Sequence, residues 1–148
     1  MTRFLCEQSV FSDFEYHGFD TFEGLPDVWL RNGVVYRPRA FFNLDGNPPQ
    51  ISDSRVSFHK GLIQENFHVI ESVQGMMRLI YLFDLDLYEP TKQVFDFIKP
   101  LLKSGDLLYF DEAFDSSGER RVILDEIIGN PRFTLVGVSN IAAAFKVL

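Results

Sequence analysis

The sequence predicts an α/β protein with a mostly parallel sheet, helices on both of its faces and a C-terminal antiparallel hairpin. Three observations predict this class. Apolar segments of strand length alternate with segments of helical periodicity, acidic residues follow two of the strands, and a tight turn joins the last two strands. Strands that alternate with helices are typical of parallel sheets, because a parallel pair needs a crossover connection.

The βαβ pattern is clearest over residues 79–110. Residues 79–83 are an unbroken apolar run, as expected of a strand that is buried on both faces. Pro90 stands near the start of the following helix, where its missing N–H costs no hydrogen bond. The helix is predicted by five apolar residues at helical spacing: Val94, Phe95, Ile98, Leu101 and Leu102. Leu107–Phe110 is the second strand.

Both strands of this unit end in carboxylates. Asp84 and Asp86 follow the first strand, and Asp111 and Glu112 follow the second. The carboxyl ends of parallel strands meet at one edge of the sheet, which is the edge where open α/β proteins bind their ligands. The sequence therefore predicts an acidic rim made of these four side chains.

The remaining elements extend the same pattern along the chain. Residues 26–53 contain four of the seven prolines and predict an irregular surface excursion. Helices are predicted at residues 3–14, 62–73 and 118–128, and strands at Tyr16–Asp20, 56–59, Phe133–Val138 and 142–147, which makes six strands in all. Trp29, Tyr36, Phe41 and Phe42 in the excursion could cover an acceptor, hold the excursion to the body or form a subunit contact.

Composition limits the class of protein. A chain of 148 residues with 46% hydrophobic content predicts one soluble globular domain. A net charge of −7 argues against nucleic acid and anionic membrane surfaces as partners. Cys6, the single cysteine, excludes an internal disulfide and a thiolate zinc site. No apolar run approaches the roughly 20 residues of a membrane span, and the first residues do not read as a secretion signal, so a cytoplasmic location is expected.

Five separated motifs resemble one enzyme family. They are GFDTFEGLP (18–26), DSRVSFHKGL (53–62), FDLDLYEPTK (83–92), LKSGDLLYFDE (102–112) and GERRVILDE (118–126). Together they resemble the macrocin O-methyltransferase family, whose members are class I S-adenosylmethionine-dependent enzymes with a Rossmann-like sheet. Several of them methylate sugar hydroxyls of natural products. The resemblance implies a small-molecule hydroxyl as the acceptor.

The resemblance assigns roles to the acidic rim. It implies that Asp84 is a ligand of a divalent cation, usually Mg²⁺, and a candidate general base for the acceptor hydroxyl. It implies that Asp111 and Glu112 complete the metal site, although the family usually has two aspartates where this chain has Asp111 and Glu112. A hard cation that binds the acceptor hydroxyl would lower its pKa.

The resemblance also assigns residues to the cofactor. Asp20, at the end of the first predicted strand, matches the acidic position near S-adenosylmethionine in the family. Gly61 and Leu62 fall where such enzymes contact the adenosine part of the cofactor.

The first residues depart from the family pattern. Class I methyltransferases begin with a strand and a Gly-rich turn that approaches the cofactor, and neither is found before Tyr16. The chain therefore resembles the C-terminal two-thirds of a methyltransferase, a single truncated domain over residues 1–148 without the usual central strand. The strand that ends before Asp84 would then have an unpaired edge, which predicts a homodimer. Weak or lost S-adenosylmethionine binding is expected as well.

Other interpretations of the same residues remain open at this point. The chain could be a catalytically silent methyltransferase remnant that acts as an oligomerising or binding module. Asp84 and Asp86 also resemble the nucleophile and the acid/base of haloacid dehalogenase-like phosphatases, or the metal-binding DxD of a glycosyltransferase. His17, His59 and His68 are interpreted as structural side chains.

Overall fold

The computed structural model describes residues 14–75, 78–114 and 118–148. Its strands are β1 (Tyr16–Asp20), β2 (Trp29–Arg31), β3 (Val34–Arg37), β4 (Val56–Lys60), β5 (Ile80–Phe83), β6 (Leu107–Phe110), β7 (Phe133–Val138) and β8 (Ala143–Val147). Its helices are α1 (Phe67–Ser72), preceded by a 3₁₀ turn over Ile63–Asn66, α2 (Tyr88–Ile98) and α3 (Glu119–Val122), which continues as a π-helix over Ile123–Ile127. In these ranges no helix has the length and apolar character needed to cross a membrane.

The α/β class is confirmed, and all six predicted strands form. The main sheet has the order β5-β6-β8-β7, with β5 parallel to β6 and with β8 antiparallel to both β6 and β7. The last two strands thus form the predicted C-terminal hairpin, with a register shift between Leu135 and Gly137. β1 and β4 form a separate parallel pair.

The sheet is divided between β1 and β5. Within the described ranges, β1 is hydrogen-bonded to β4 and β5 to β6, and no strand connects the two pairs. The sequence predicts an unpaired edge for the strand that ends before Asp84, which is β5. The helix predicted over residues 3–14 lies outside the described residues except for Phe14.

The hydrophobic core lies on one face of the main sheet. All three helices contribute to it, and the side chains from β6 and β8 that point to this face are almost fully buried, among them Leu108, Phe110, Phe145 and Val147. On the opposite face, Ile80 and Leu82 of β5 are 63% and 39% exposed. The described helices therefore cover one of the two faces for which helices are predicted.

The excursion over residues 26–53 is more regular than predicted. β2 and β3 pair antiparallel around Asn32-Gly33, which have φ values of 51° and 78°. Two successive positive φ values are what a tight hairpin turn requires, and Asn-Gly is the preferred pair for it. The prediction of an irregular segment was wrong here, because the prolines and glycines around this short hairpin obscured its signal.

Candidate functional site at the carboxyl ends of the strands

Aromatic packing fixes the ends of β5 and β6. Phe83 and Phe110, the last residues of the two strands, are in register and almost fully buried, and their rings stack at 4.5 Å with 13° between their planes. The N–H of Asp111 donates to the carbonyl oxygen of Phe83 at 3.0 Å. Asp84 and Asp111, which follow the stacked pair, therefore start from adjacent backbone positions.

The carboxylates around these strand ends perturb one another. Burial raises the pKa of Asp84, and the charges of Asp111 and Asp20 raise it further. Burial raises the pKa of Asp86 to about 7, with contributions from Asp84, Glu112 and Asp111. Like charges raise each other's pKa only when they are close. The structure thus brings together the four side chains of the acidic rim, and it adds Asp20 from the end of β1.

Glu119 is a site residue that the sequence analysis missed. It is completely buried at the start of α3, where its Oε1 accepts the N–H of Leu85 at 2.9 Å and its Oε2 accepts the N–H of Glu112 at 3.1 Å. Burial raises its pKa to about 7, against the opposing effect of these hydrogen bonds. One carboxyl group therefore connects the loops that carry both halves of the acidic rim. Its position in the motif over residues 118–126 was the available signal.

The loop after β5 depends on a glycine in the neighbouring loop. Asp86 has a φ of 60°, and Gly118 lies against it with a φ of 60° as well. A Cβ at position 118 would lie 2.0 Å from the carbonyl oxygen of Asp86. Only glycine allows this contact, because any Cβ would force the two loops apart.

The residues predicted to bind the cofactor lie at the ends of β1 and β4. Asp20 Oδ1 accepts the N–H of Phe22 at 2.7 Å, and the Asp20 carbonyl oxygen accepts the N–H of Gly61 at 3.1 Å. Gly61 has a φ of 127°, a conformation that favours glycine. Leu62 is 51% exposed, and its N–H donates to Glu65 Oε2 at 3.0 Å. These three residues therefore lie next to one another at this edge of the β1–β4 pair.

Two of the three residues predicted to bind Mg²⁺, Asp111 and Glu112, are engaged with protein groups. Arg31 Nη2 donates to Glu112 Oε2 at 3.1 Å, and the Tyr109 hydroxyl donates to Asp111 Oδ1 at 3.1 Å. Within the described ranges, no three histidine, cysteine or acidic side chains converge as metal ligands do. As they are arranged, Asp84, Asp111 and Glu112 do not fit a divalent cation, and the Mg²⁺ prediction is not supported.

Two of the three histidines interact with each other. His17 Nδ1 and His59 Nε2 form a hydrogen bond of 2.9 Å, and Phe19 stacks on the His59 ring at 4.9 Å. Burial lowers the pKa of His59, and the nearby His17 and His68 lower it further. The contacts of His17 and His59 agree with a structural role.

Comparisons with known proteins show that solved structures share the fold of this chain. No family model and no curated protein matches the chain. Among solved structures, it is similar to CalS11, calicheamicin methyltransferase, with a TM-score of 0.67 and 24% identity. It is also similar to the apo structure of CalS11, described as TDP-rhamnose 3'-O-methyltransferase, an enzyme in calicheamicin biosynthesis, with a TM-score of 0.62 and 22% identity.

Each match covers 97% of this chain and 65% or 64% of the solved chain. The chain thus spans slightly less than two-thirds of the length of these neighbours. At this level of identity the likeness shows the fold alone.

Proposed function

We propose that this chain serves S-adenosylmethionine-dependent methylation of a hydroxyl group on a small, sugar-like acceptor. The observation that carries the proposal is the convergence of Asp20, Asp84 and Asp111 at the carboxyl ends of three strands in a methyltransferase fold. The acceptor class is proposed from the neighbours, which are described as a calicheamicin methyltransferase and a TDP-rhamnose O-methyltransferase. This fold favours the methyltransferase interpretation over the phosphatase and glycosyltransferase interpretations.

Asp84 is the proposed general base. Its pKa is raised by burial and by neighbouring carboxylates, and a base works best when its pKa lies near the working pH. S-adenosylmethionine, when bound, supplies an electrophilic methyl group. With the cofactor bound, the Asp84 carboxylate would accept the hydroxyl proton as the acceptor oxygen takes up that methyl group, and S-adenosylhomocysteine would be the leaving group.

Asp20, Gly61 and Leu62 are the proposed cofactor-binding residues. An exposed carboxylate at the end of β1 can accept hydrogen bonds from hydroxyl groups, and the half-exposed Leu62 offers an apolar surface beside it. These groups suit a nucleoside. The affinity for S-adenosylmethionine is expected to be weak. The described residues supply no strand between β1 and β5 that could complete the cofactor-binding site.

No step is assigned to Mg²⁺. The residues predicted to bind it do not fit, since Glu112 is paired with Arg31. In this proposal the Asp84 carboxylate alone removes the proton.

A second candidate is an oligomerising module without catalysis. The facing edges of β1 and β5 have no strand partner within the described residues, and the adjacent Ile80 and Leu82 are exposed. Unpaired strand edges associate with other strands. A two-fold homodimer that joins such edges would satisfy their backbone groups without a further segment.

A single set of measurements separates the two candidates. The wild type is compared with Asp84→Asn and Asp96→Asn. Calorimetry measures the binding of S-adenosylhomocysteine, a labelled methyl group reports transfer to TDP-linked sugars, and light scattering gives the oligomeric state. Asp96 is an exposed carboxylate on α2, paired with Lys92, and serves as the control.

For an enzyme, we expect weak cofactor binding by all three proteins and methyl transfer that only Asp84→Asn loses. A dimer that neither binds nor transfers would overturn the enzyme proposal and favour the module. Equal transfer by Asp84→Asn would refute the role of Asp84 alone.

A further inference from the structure

The acidic rim contains a cation from the chain itself. Arg31 is the last residue of β2, and its guanidinium group reaches across from the β2–β3 hairpin to Glu112 at 3.1 Å. The side chains of Arg31 and Glu112 are 34% and 17% exposed, respectively, so the pair is partly shielded from solvent. Ion pairs that are shielded in this way are screened less by salt than exposed pairs.

Aromatic side chains hold the guanidinium group in place. The Arg31 guanidinium lies 3.8 Å from the centre of the Tyr36 ring and 4.8 Å from that of Trp29. Trp29 is 3% exposed and anchors the hairpin. A guanidinium group is attracted electrostatically both to the faces of aromatic rings and to a carboxylate. Contacts within its own hairpin thus hold Arg31 in the orientation in which it pairs with Glu112.

The length of the Glu112 side chain is important for this contact. The family pattern has an aspartate where this chain has Glu112, and the additional methylene lets the carboxylate extend further toward the hairpin. The charge of Arg31 also reaches the other acidic loop, where it favours the ionised form of Asp86. The charge of Arg31 therefore acts on carboxylates from both loops of the rim.

We propose that Arg31 is the resident counter-cation of the acidic rim and that it excludes a divalent metal ion. The guanidinium group holds the carboxylate of Glu112, which the family pattern assigns to the metal. A metal ion bound to the same carboxylate would lie within a few ångströms of the guanidinium group, and the two positive charges would repel each other. Docking of the β2–β3 hairpin and binding of a divalent cation at the rim are therefore mutually exclusive. This inference does not depend on methyl transfer.

Mn²⁺ provides a direct test, because its electron paramagnetic resonance signal reports the free ion. Trp29 is the single tryptophan of the chain, and its fluorescence therefore reports the hairpin in the same titration. The wild type is compared with Arg31→Gln and with Arg37→Gln. Arg37 is a matched control, because it stacks on the Tyr36 ring at 4.0 Å and donates to Tyr36.

We expect no saturable Mn²⁺ binding by the wild type or Arg37→Gln up to millimolar concentrations, with Trp29 emission unchanged. Arg31→Gln should bind Mn²⁺ at least tenfold more tightly. Glu112→Asp is a second variant that retains the charge and shortens the arm, so it should release Arg31, shift Trp29 emission and gain Mn²⁺ binding.

The proposal would be overturned if the wild type, Arg31→Gln and Glu112→Asp all bind Mn²⁺ with the same affinity, or if none of them binds it. If Arg31→Gln does not fold, Glu112→Asp decides in the same way. Mn²⁺ binding by the wild type without a change in Trp29 emission would also contradict mutual exclusion.

Discussion

Replacement of Glu119 by alanine should destabilise the protein, because one carboxyl group supports two loops from inside the core. Its carboxyl group accepts backbone N–H groups from the loops after β5 and β6, and it is completely buried. In Glu119→Ala both N–H groups lose their acceptor in a place that water does not reach. The change therefore acts on the acidic rim as well as on the core.

The magnitude follows from three contributions. Each unsatisfied buried N–H costs about 1–3 kcal/mol, and removal of the one buried methylene, Cγ, costs roughly 0.8 kcal/mol. Loss of a buried acidic group partly offsets this, because its pKa is raised from 4.5 to about 7 and each unit corresponds to about 1.4 kcal/mol. At pH 6 the offset is about 2 kcal/mol, since only the 1.5 units between the unfolded pKa of 4.5 and that pH contribute. A net loss of about 3 kcal/mol in the free energy of unfolding is expected at pH 6.

Urea unfolding at pH 6 measures this loss, with Asp125→Ala as the matched control. Asp125 lies in the same helix, is half-exposed, and is 3.8 Å from Arg121 Nε, so its loss should be within about 0.5 kcal/mol. Hydrogen exchange of the Leu85 and Glu112 amides should accelerate in Glu119→Ala. If Glu119→Ala loses no more stability than Asp125→Ala, the role assigned to Glu119 is refuted.

Two further predictions follow from the backbone and from the histidine pair. Gly118→Ala should lower the free energy of unfolding by at least about 2–3 kcal/mol, because its Cβ would lie 2.0 Å from the Asp86 carbonyl oxygen. Gly129 has a similar φ of 80° but open space around it, so Gly129→Ala should cost clearly less. Equal losses of stability in the two variants, measured by thermal unfolding, would contradict this prediction. Protonation of Glu119 and Asp86, whose pKa values are raised to about 7 in the folded protein, should increase the free energy of unfolding as the pH falls below 7. His59 should oppose this increase below 6.5, because its pKa is lowered in the folded protein and the unfolded chain then binds more protons. The increase should be larger in His59→Gln than in the wild type, and an identical pH dependence of the two proteins would refute the contribution of His59.

The sequence by itself determined the elements and the edge on which the acidic residues meet. The apolar run before Asp84 and the helical spacing after Pro90 are local signals, and they predicted β5 to within one residue and the start of α2. The end of the helix was predicted wrongly, because Leu101 and Leu102 lie beyond Ile98, where α2 ends. The parallel arrangement of β5 and β6 follows from the helix between them, and it places Asp84 and Asp111 side by side.

Only the tertiary structure decided what the acidic side chains contact. Arg31 and Glu112 are far apart in the chain, and no local pattern links them, because their contact depends on how the β2–β3 hairpin folds over the rim. Glu119 looked like an ordinary polar residue at the start of a helix, and its burial follows from the way two loops close around it. Periodicity reports which face of an element is apolar, whereas the partners of a polar side chain are fixed by long-range packing, which is why the sequence predicted the rim and not its counter-cation.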